Sequence, residues 1–112
     1  MVDERRKFER VVMPHSAHVY VATQDEKKLG GLRMLGRGGF QVETSRTFKM
    51  EEVHPLILID SSEGIKRKVR GVVRNISPGG LVGFEFQSLD ADAAVEVGVI
   101  IGKYYSASSA GA

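Results

Sequence analysis

Alternation of apolar and polar residues with a period of two is the feature that most constrains this fold. Short segments with this pattern recur over the first three quarters of the chain, and turn-rich stretches such as DSSEG (60–64) and NISPGG (75–80) separate them. Successive side chains of a strand point to opposite faces, so the pattern predicts strands with one buried face. About six short strands at this spacing are typical of an antiparallel barrel or sandwich. The predicted strands are 17–23, 29–35, 40–44, 53–60, 65–74 and 81–86.

The last quarter of the chain has a different period. In LDADAAVEVGVIIGKYYS (89–106) apolar residues recur at steps of three and four, which indicates one face of a helix. Ser88 is placed to cap this helix, and Asp90 and Asp92 lie where the helix dipole favours negative charge. The residues predicted to face the core are Leu89, Ala93, Val97, Ile100, Ile101 and Tyr104.

These patterns predict a mainly β protein, a six-stranded antiparallel β-barrel with a C-terminal α-helix over one end. Residues 1–15 are expected to form a flexible arginine-rich arm, 16–87 the barrel, 88–105 the helix and 106–112 a disordered tail. A chain of 112 residues forms one domain and buries enough surface to fold without metal or disulfide.

Composition narrows the range of functions. The chain has no cysteine, which excludes disulfides, thiolate metal sites and a cysteine nucleophile. The common catalytic signatures HExxH, GxSxG and the Walker loop do not occur, and His15 and His18 fall on opposite faces of an extended segment with no third ligand nearby. Sixteen basic and fourteen acidic residues give a net charge of +2, which does not argue for nucleic acid or membrane. We expect a cytoplasmic, non-enzymatic domain with no metal, no cofactor and no membrane insertion.

The N-terminal segment RRKFER (5–10) carries three arginines in six residues, just before the first predicted strand. A guanidinium is planar, always charged and forks onto phosphate oxygens or a guanine edge, and it also stacks on a base. A flexible arm with three such groups is able to wrap a compact dianionic nucleotide against a barrel. The alternative is a solvated charged terminus in which Glu4 and Glu9 pair with the arginines.

This pattern resembles the PilZ domain family of bacterial receptors for cyclic di-GMP, over residues 4–105. The resemblance has three anchors: the RxxxR element from Arg6 to Arg10, a glycine turn about twenty-five residues later, and the strand GFEF (83–86) before the helix. It implies a PilZ-like barrel in which Arg6 and Arg10 grip the phosphates and guanines of the ligand. An arginine immediately before this element, here Arg5, is associated in the family with binding a stacked pair of nucleotides.

The second family motif, [D/N]xSxxG, is where this sequence departs from the pattern. By position it falls on MLGRGG (34–39), where Gly39 matches the final glycine. Met34 replaces the acid or amide and Gly36 replaces the serine. A literal match, NISPGG (75–80), is interpreted as a hairpin turn, because only one strand follows it before the helix.

These replacements weaken the implied site by a calculable amount. A guanine donor that faces Met34 loses its acceptor, which costs about 1–3 kcal/mol, and loss of the hydroxyl at Gly36 adds about 1 kcal/mol. Together they remove roughly one and a half to three decades of affinity. Arg37 lies in the turn and partly compensates if it reaches a phosphate, whereas the alternative is an exposed loop arginine.

The resemblance therefore implies a receptor that binds cyclic di-GMP, folds its arm onto the barrel and signals to a downstream protein partner that the sequence does not identify. The alternative is a PilZ-like protein-interaction module that no longer binds the nucleotide. The implied ligand-binding residues are Arg5, Arg6, Arg10, Arg37 and Gly39.

A third alternative concerns the basic strand IKRKVRGVVR (65–74). Lys66, Lys68 and Arg70 share one face and Arg67 lies on the other, so the strand offers a basic stripe to RNA or DNA. No aromatic residue interleaves with this stripe for base stacking, and a solvated face that discourages edge pairing is the favoured interpretation. Nucleic acid is therefore not the expected partner.

Overall fold

A computed structural model of the chain describes residues 10–14 and 18–110. Within these residues seven strands precede one helix, and six of the strands coincide with predicted ones. The elements are β1 (Arg10–Val12), β2 (Val19–Thr23), β3 (Lys28–Gly36), β4 (Gly39–Thr44), β5 (Val53–Asp60), β6 (Ile65–Ser77), β7 (Leu81–Phe86) and α1 (Ala91–Ala110).

All the strand pairs are antiparallel, and the sheet closes on itself. From β3 the order runs through β2, β5, β6, β7 and β4, and β4 pairs again with β3. Six strands thus form a closed barrel, and β1 is an additional strand on β3. The predicted six-stranded antiparallel barrel with a C-terminal helix is confirmed. Closure also removes the free edges of the six barrel strands, which would otherwise be able to pair with other chains.

Strand β3 is long enough to carry two partners along one edge. Its first half pairs with β2 around Gly30 and Gly31, and its second half pairs with β1. The opposite edge of β3 pairs with β4. The close approach of β4 to β3 requires glycine at position 30, because a β-carbon there would lie 1.7 Å from the carbonyl oxygen of Glu43.

Inward-facing residues of the strands fill the barrel. Val19 and Val21, predicted to share a face, are 4% and 0% exposed. Phe40 stacks on Phe84 with 5.1 Å between ring centroids, and Phe48 meets the same ring edge-on at 5.4 Å, so the aromatic packing is specific as well as apolar. The helix closes one end with the residues that its period predicted: Ala93, Val97, Ile100, Ile101 and Tyr104 are buried, and Leu89 is partly buried.

The boundaries of the helix differ from those predicted. Asp90 caps it, because its Oδ1 accepts a hydrogen bond of 2.8 Å from the backbone N–H of Ala93, so the prediction that Ser88 is the cap is wrong. The helix then continues to Ala110, through the segment predicted as the start of a disordered tail.

Strand β1 lies within the segment predicted as a flexible arm. Val11 and Met13 are 2% and 1% exposed and belong to the main core. Burial of two large apolar side chains outweighs the charge of the neighbouring residues and fixes the chain against β3 from Arg10 onward. The preceding arm residues lie outside the described part.

A buried carboxylate ties the helix to the β5–β6 turn. The side chain of Asp60 is fully buried, and its Oδ1 accepts hydrogen bonds from the backbone N–H and hydroxyl of Ser62. Lys103 of α1 donates to Asp60 Oδ2 at 3.4 Å, to Ser62 Oγ at 2.9 Å and to Glu63 Oε2 at 3.0 Å. Hydrogen bonding to Glu63, followed by the charge of Asp60, raises the pKa of Lys103 above its ordinary value.

Candidate ligand-binding site

Strand β1 brings the two segments singled out in the sequence next to each other. In its register with β3, Arg10 lies opposite Gly36, and Val12 lies opposite Met34. The end of the RxxxR element is therefore one strand away from MLGRGG (34–39), the segment to which the second motif was assigned. These segments are separated by more than twenty residues in sequence, and the β1–β3 pairing is what joins them.

The residues predicted to bind the ligand fall into two groups. Arg5 and Arg6 lie outside the described residues, and the structure places the backbone of Arg10 in β1. Arg37 lies in the β3–β4 turn, where its side chain is exposed and forms no ion pair with any residue that the structure describes. Arg10 and Arg37 thus flank Gly36, so the pairing gathers these two predicted site residues at one end of the barrel.

Gly39 begins β4 beside this turn. A β-carbon at Gly39 would lie 2.1 Å from the carbonyl oxygen of Phe84 on β7, so strand pairing itself requires glycine at this position. At the neighbouring Gly38 a β-carbon would meet no atom within 4 Å. The role of Gly39 in shaping a ligand wall stays a prediction, whereas its role in closing the barrel is visible.

The wall beside the turn is more apolar than the family motif implies. Val12 is 65% exposed and Met34 is half-buried next to it. The next residue across the sheet from Met34 is Gln41, also half-buried. Sequence reasoning did not single out Val12 or Gln41, because only the strand register shows that they adjoin Met34.

The literal motif match NISPGG (75–80) lies at the opposite end of β4. The carbonyl oxygen of Gly80 accepts a hydrogen bond of 2.8 Å from the N–H of Thr44, the last residue of that strand, whereas Gly39 is the first. Gly79 and Gly80 have positive φ angles, as a tight turn requires. This turn contributes to an open cleft of about 550 Å³, away from the arginine segment. The cleft is lined by Leu29, Gly31, Glu43, Thr44, Ser45, Gly79 and Gly80.

The basic strand forms part of the outer surface of the barrel. Lys66, Lys68 and Arg70 are exposed opposite Ile59, Ile57 and Pro55 of β5, while Arg67 reaches Glu96 of the helix at 3.4 Å. A hydrogen bond of 2.9 Å to Glu26 raises the pKa of Lys66.

One aromatic side chain of a different strand lies near this stripe. Tyr20 of β2 lies opposite Ile59 of β5. Its ring packs against a small second apolar cluster formed by Ala22, Ile57 and Ile59. The ammonium group of Lys28 lies 5.1 Å from the centre of the Tyr20 ring, so a cation already occupies a face of this ring. The stripe therefore presents positive charge to an anionic partner, but the Tyr20 ring face that Lys28 covers is not open for stacking on a base.

Two other kinds of site are absent from the described residues. No helix there is both long and apolar enough to span a bilayer. Nor does the described part bring together three or more histidine, aspartate or glutamate side chains in an arrangement that would hold a metal ion.

The fold defines a small closed antiparallel β-barrel domain with an accessory strand and a terminal helix. The sequence matches the model of the PilZ domain over residues 4–101. The chain belongs to the PilZ domain family.

Solved structures support the same fold. The PilZ domain of YcgR from Escherichia coli, solved with c-di-GMP, has a TM-score of 0.68 at 15% identity, with 88% of this chain and 90% of that chain covered. The PilZ domain of CeSA from a cellulose-synthesizing bacterium gives 0.59 at 19% identity, with 84% and 95% covered. An uncharacterized Legionella protein, Lpg0364, gives 0.64 at 10% identity, with 89% and 97% covered. No curated protein matches the sequence.

Proposed function

We propose that this chain is a cytoplasmic, non-enzymatic receptor that binds cyclic di-GMP between its N-terminal arginines and the β3–β4 turn. The observation that supports the proposal is the pairing of Arg10 with Gly36, which brings the last residue of the RxxxR element beside the turn. Arg5, Arg6 and Arg10 supply guanidinium groups to the phosphates and guanines, and Arg37 supplies a fourth from the turn. Membership of the PilZ family supports this choice of ligand.

The charges of the turn favour an anionic ligand. Arg37 is exposed and has no acidic partner among the described residues, so its charge is available. By contrast, Arg67 and Arg74 are each held by glutamates, at 3.4 Å for Arg67 and at 2.6 and 2.7 Å for Arg74. A charge that has no partner loses no ion pair when a phosphate approaches.

Met34 sets the strength of this binding. Its thioether cannot replace the carboxylate or amide acceptor of the family motif, so one guanine donor that faces it loses a hydrogen bond. The arginines bind the phosphates irrespective of this loss. Together with the missing hydroxyl at Gly36, this loss makes the proposed receptor bind more weakly than one with the complete motif, by roughly one and a half to three decades of affinity.

Isothermal titration of the full chain with cyclic di-GMP tests the proposal. We expect saturable heat for the wild type and a loss of binding in Arg10→Ala, because a guanidinium contact to phosphate is removed. Arg46→Ala is the matched control: Arg46 is exposed in the β4–β5 loop, at the end of β4 remote from the turn. No heat from a folded wild type, or equal binding by Arg10→Ala, would overturn the proposal.

The second candidate is a PilZ-like interaction module that does not bind the nucleotide. The apolar pair Val12 and Met34 favours it, because an exposed valine beside a half-buried methionine is a poor surface for a guanine edge. This candidate predicts a folded chain with no response to cyclic di-GMP in the same titration.

A further inference from the structure

A row of three side chains on the outside of the barrel adjoins the β3–β4 turn. Val12 of β1 lies opposite Met34 of β3, and Met34 lies opposite Gln41 of β4. Directly opposite residues of antiparallel strands share a face of the sheet. The adjacent pair, Val11 and Leu35, points into the core and is 2% and 0% exposed, so Val12, Met34 and Gln41 point outward. We call these three residues the outer row.

The outer row is open and lies beside the arginine segment. Val12 is 65% exposed, and Met34 and Gln41 are half-buried. Two residues further along the same strands, the backbone of Arg10 lies opposite Gly36. Apolar side chains on an open face gain free energy when a flat, weakly hydrated ring covers them. A nucleotide that is held by the N-terminal arginines brings such rings to this row.

The side chains of the outer row do not distinguish one purine from the other. Guanine presents the donors N1–H and N2–H₂ on its Watson–Crick edge, whereas adenine presents the acceptor N1 and the donor N6–H₂. Val12 offers no hydrogen-bonding group, and the thioether of Met34 is only a weak acceptor. Gln41 ends in an amide, which has a donor and an acceptor and therefore pairs with either purine.

Two carboxylates that flank the outer row are held by arginines. Glu43 follows Gln41 on the same face of β4, and its Oε1 lies 3.6 Å from Nε of Arg33. Glu85 of β7 accepts a hydrogen bond of 2.7 Å from Nε of Arg74. A guanine above the row would have to compete with an arginine for either carboxylate, so it gains less than it would from an unpaired one.

We propose that Met34 is a specificity-determining residue, and that this chain binds the cyclic dinucleotide of adenine as well as that of guanine. The inference rests on the proposed function, in which the arginines hold the ligand. Phosphate contacts position a nucleotide and base contacts select it. The phosphates are the same in both dinucleotides, and packing against the ring face is tolerant of the base. Strong discrimination requires a hydrogen bond that only one base forms, and the outer row supplies none.

Isothermal titration of the full chain with cyclic di-GMP and with cyclic di-AMP tests the proposal. We expect both ligands to bind, with dissociation constants within about tenfold of each other. A preference above about tenfold for either ligand overturns the inference, and the proposed function stands if cyclic di-GMP is the preferred ligand. No heat with either ligand from a folded chain overturns both.

Met34→Asp tests whether this side chain sets the selectivity. The new carboxylate accepts from the guanine donors but faces a lone pair of adenine N1, so the preference for cyclic di-GMP should rise by about 5- to 150-fold over that of the wild type. Met50→Asp is the matched control: Met50 is 50% exposed in the β4–β5 loop, and its change should leave both dissociation constants as they are. A folded Met34→Asp variant with the wild-type ratio contradicts the role assigned to Met34.

Val12→Ser tests the packing of the base on the outer row. Because either purine loses the same apolar contact, both ligands should bind more weakly by the same factor, about three- to tenfold. Val53→Ser is the matched control, since Val53 is 37% exposed at the start of β5, next to the β4–β5 loop. A change in the affinity for one ligand only, or for neither, contradicts the outer row as the surface that contacts the base.

Discussion

Met34 shows how one side chain sets the strength of the proposed site. Met34→Asp places a carboxylate beside Val12 in the row of the sheet that borders the turn. If a guanine faces this row, the new acceptor is expected to raise the affinity for cyclic di-GMP by about 5- to 150-fold, equivalent to about 1–3 kcal/mol. Isothermal titration measures this change. Gln41→Glu, which adds charge at the cross-strand neighbour, is the control and should give no comparable gain. Equal affinities of Met34→Asp and wild type would mean that the guanine edges lie elsewhere.

Gly39 and Gly38 are adjacent glycines with opposite structural requirements. At Gly39 an added methyl group would collide with the backbone of Phe84, which cannot rotate away as a side chain would. Gly39→Ala is expected to lower the free energy of unfolding by about 1–3 kcal/mol or more. Gly38→Ala meets open space, and its change should stay within about 0.5 kcal/mol. Urea titration of both variants makes the comparison, and equal midpoints would contradict the packing role of Gly39.

The strands and the helix whose apolar residues recur with a regular period were predictable from the sequence. The elements that depend on a few specific contacts, strand β1 and the helix cap, were not. The alternation around Val19 and Val21 indicates which face of strand β2 is buried. The three- and four-residue spacing of apolar residues from Ala93 to Tyr104 indicates the helix and its buried face. Strand β1 has only three residues, too few for a period, and its place depends on pairing with β3. The helix cap was missed because Ser88 and Asp90 are both good capping residues, and only the bond to Ala93 distinguishes them.

The attachment of α1 to the β5–β6 turn depends on Lys103. Lys103→Met leaves the buried carboxylate of Asp60 without its charged partner, so we expect a clear fall in the thermal midpoint. Lys27→Met is the matched control, because the pair of Lys27 with Asp25 is exposed and 3.8 Å long, and its loss should have little effect. Thermal unfolding followed by circular dichroism measures both variants. Similar midpoints for the two would show that Lys103 adds nothing to this attachment.

The contribution of Lys103 also has a defined pH dependence. Hydrogen bonding to Glu63 and the charge of Asp60 raise its pKa in the folded chain above the ordinary lysine value of about 10.4. The folded state then holds the proton more tightly than the unfolded state, so the stabilisation is complete below that pH and falls as pH rises above it. The difference in unfolding free energy between wild type and Lys103→Met should therefore be level from pH 6 to 9 and shrink in more alkaline solution. A difference that shrinks toward acid within that range contradicts this assignment.

For the molecule as a whole, the sequence predicted the class of fold and not the contacts between distant segments. Turn chemistry and strand spacing favour a barrel, and the position of the family motif predicts that residues 34–39 form the turn that binds the ligand. That Arg10 lies opposite Gly36 follows from the fact that β2 covers only the first half of β3 and leaves the second half free for β1. No local pattern encodes this division of one edge between two strands. The proximity of Val12 to Met34, which weakens the proposed site, follows from it as well.

The thermal midpoint of the whole folded chain, measured with ligand and at different salt concentrations, should distinguish the proposed receptor from a nucleic-acid-binding protein. Cyclic di-GMP at one hundred times its dissociation constant stabilises the folded state by about 2.7 kcal/mol, which raises the thermal midpoint by roughly 10 °C. Arginine–phosphate contacts at the surface are screened, so at a fixed ligand concentration the rise should shrink between about 0.1 M and 1 M salt. Lys68→Ala should keep the rise, because Lys68 lies on the outer face of β6, away from the turn. A rise produced equally by RNA and abolished by Lys68→Ala would instead assign binding to the basic strand.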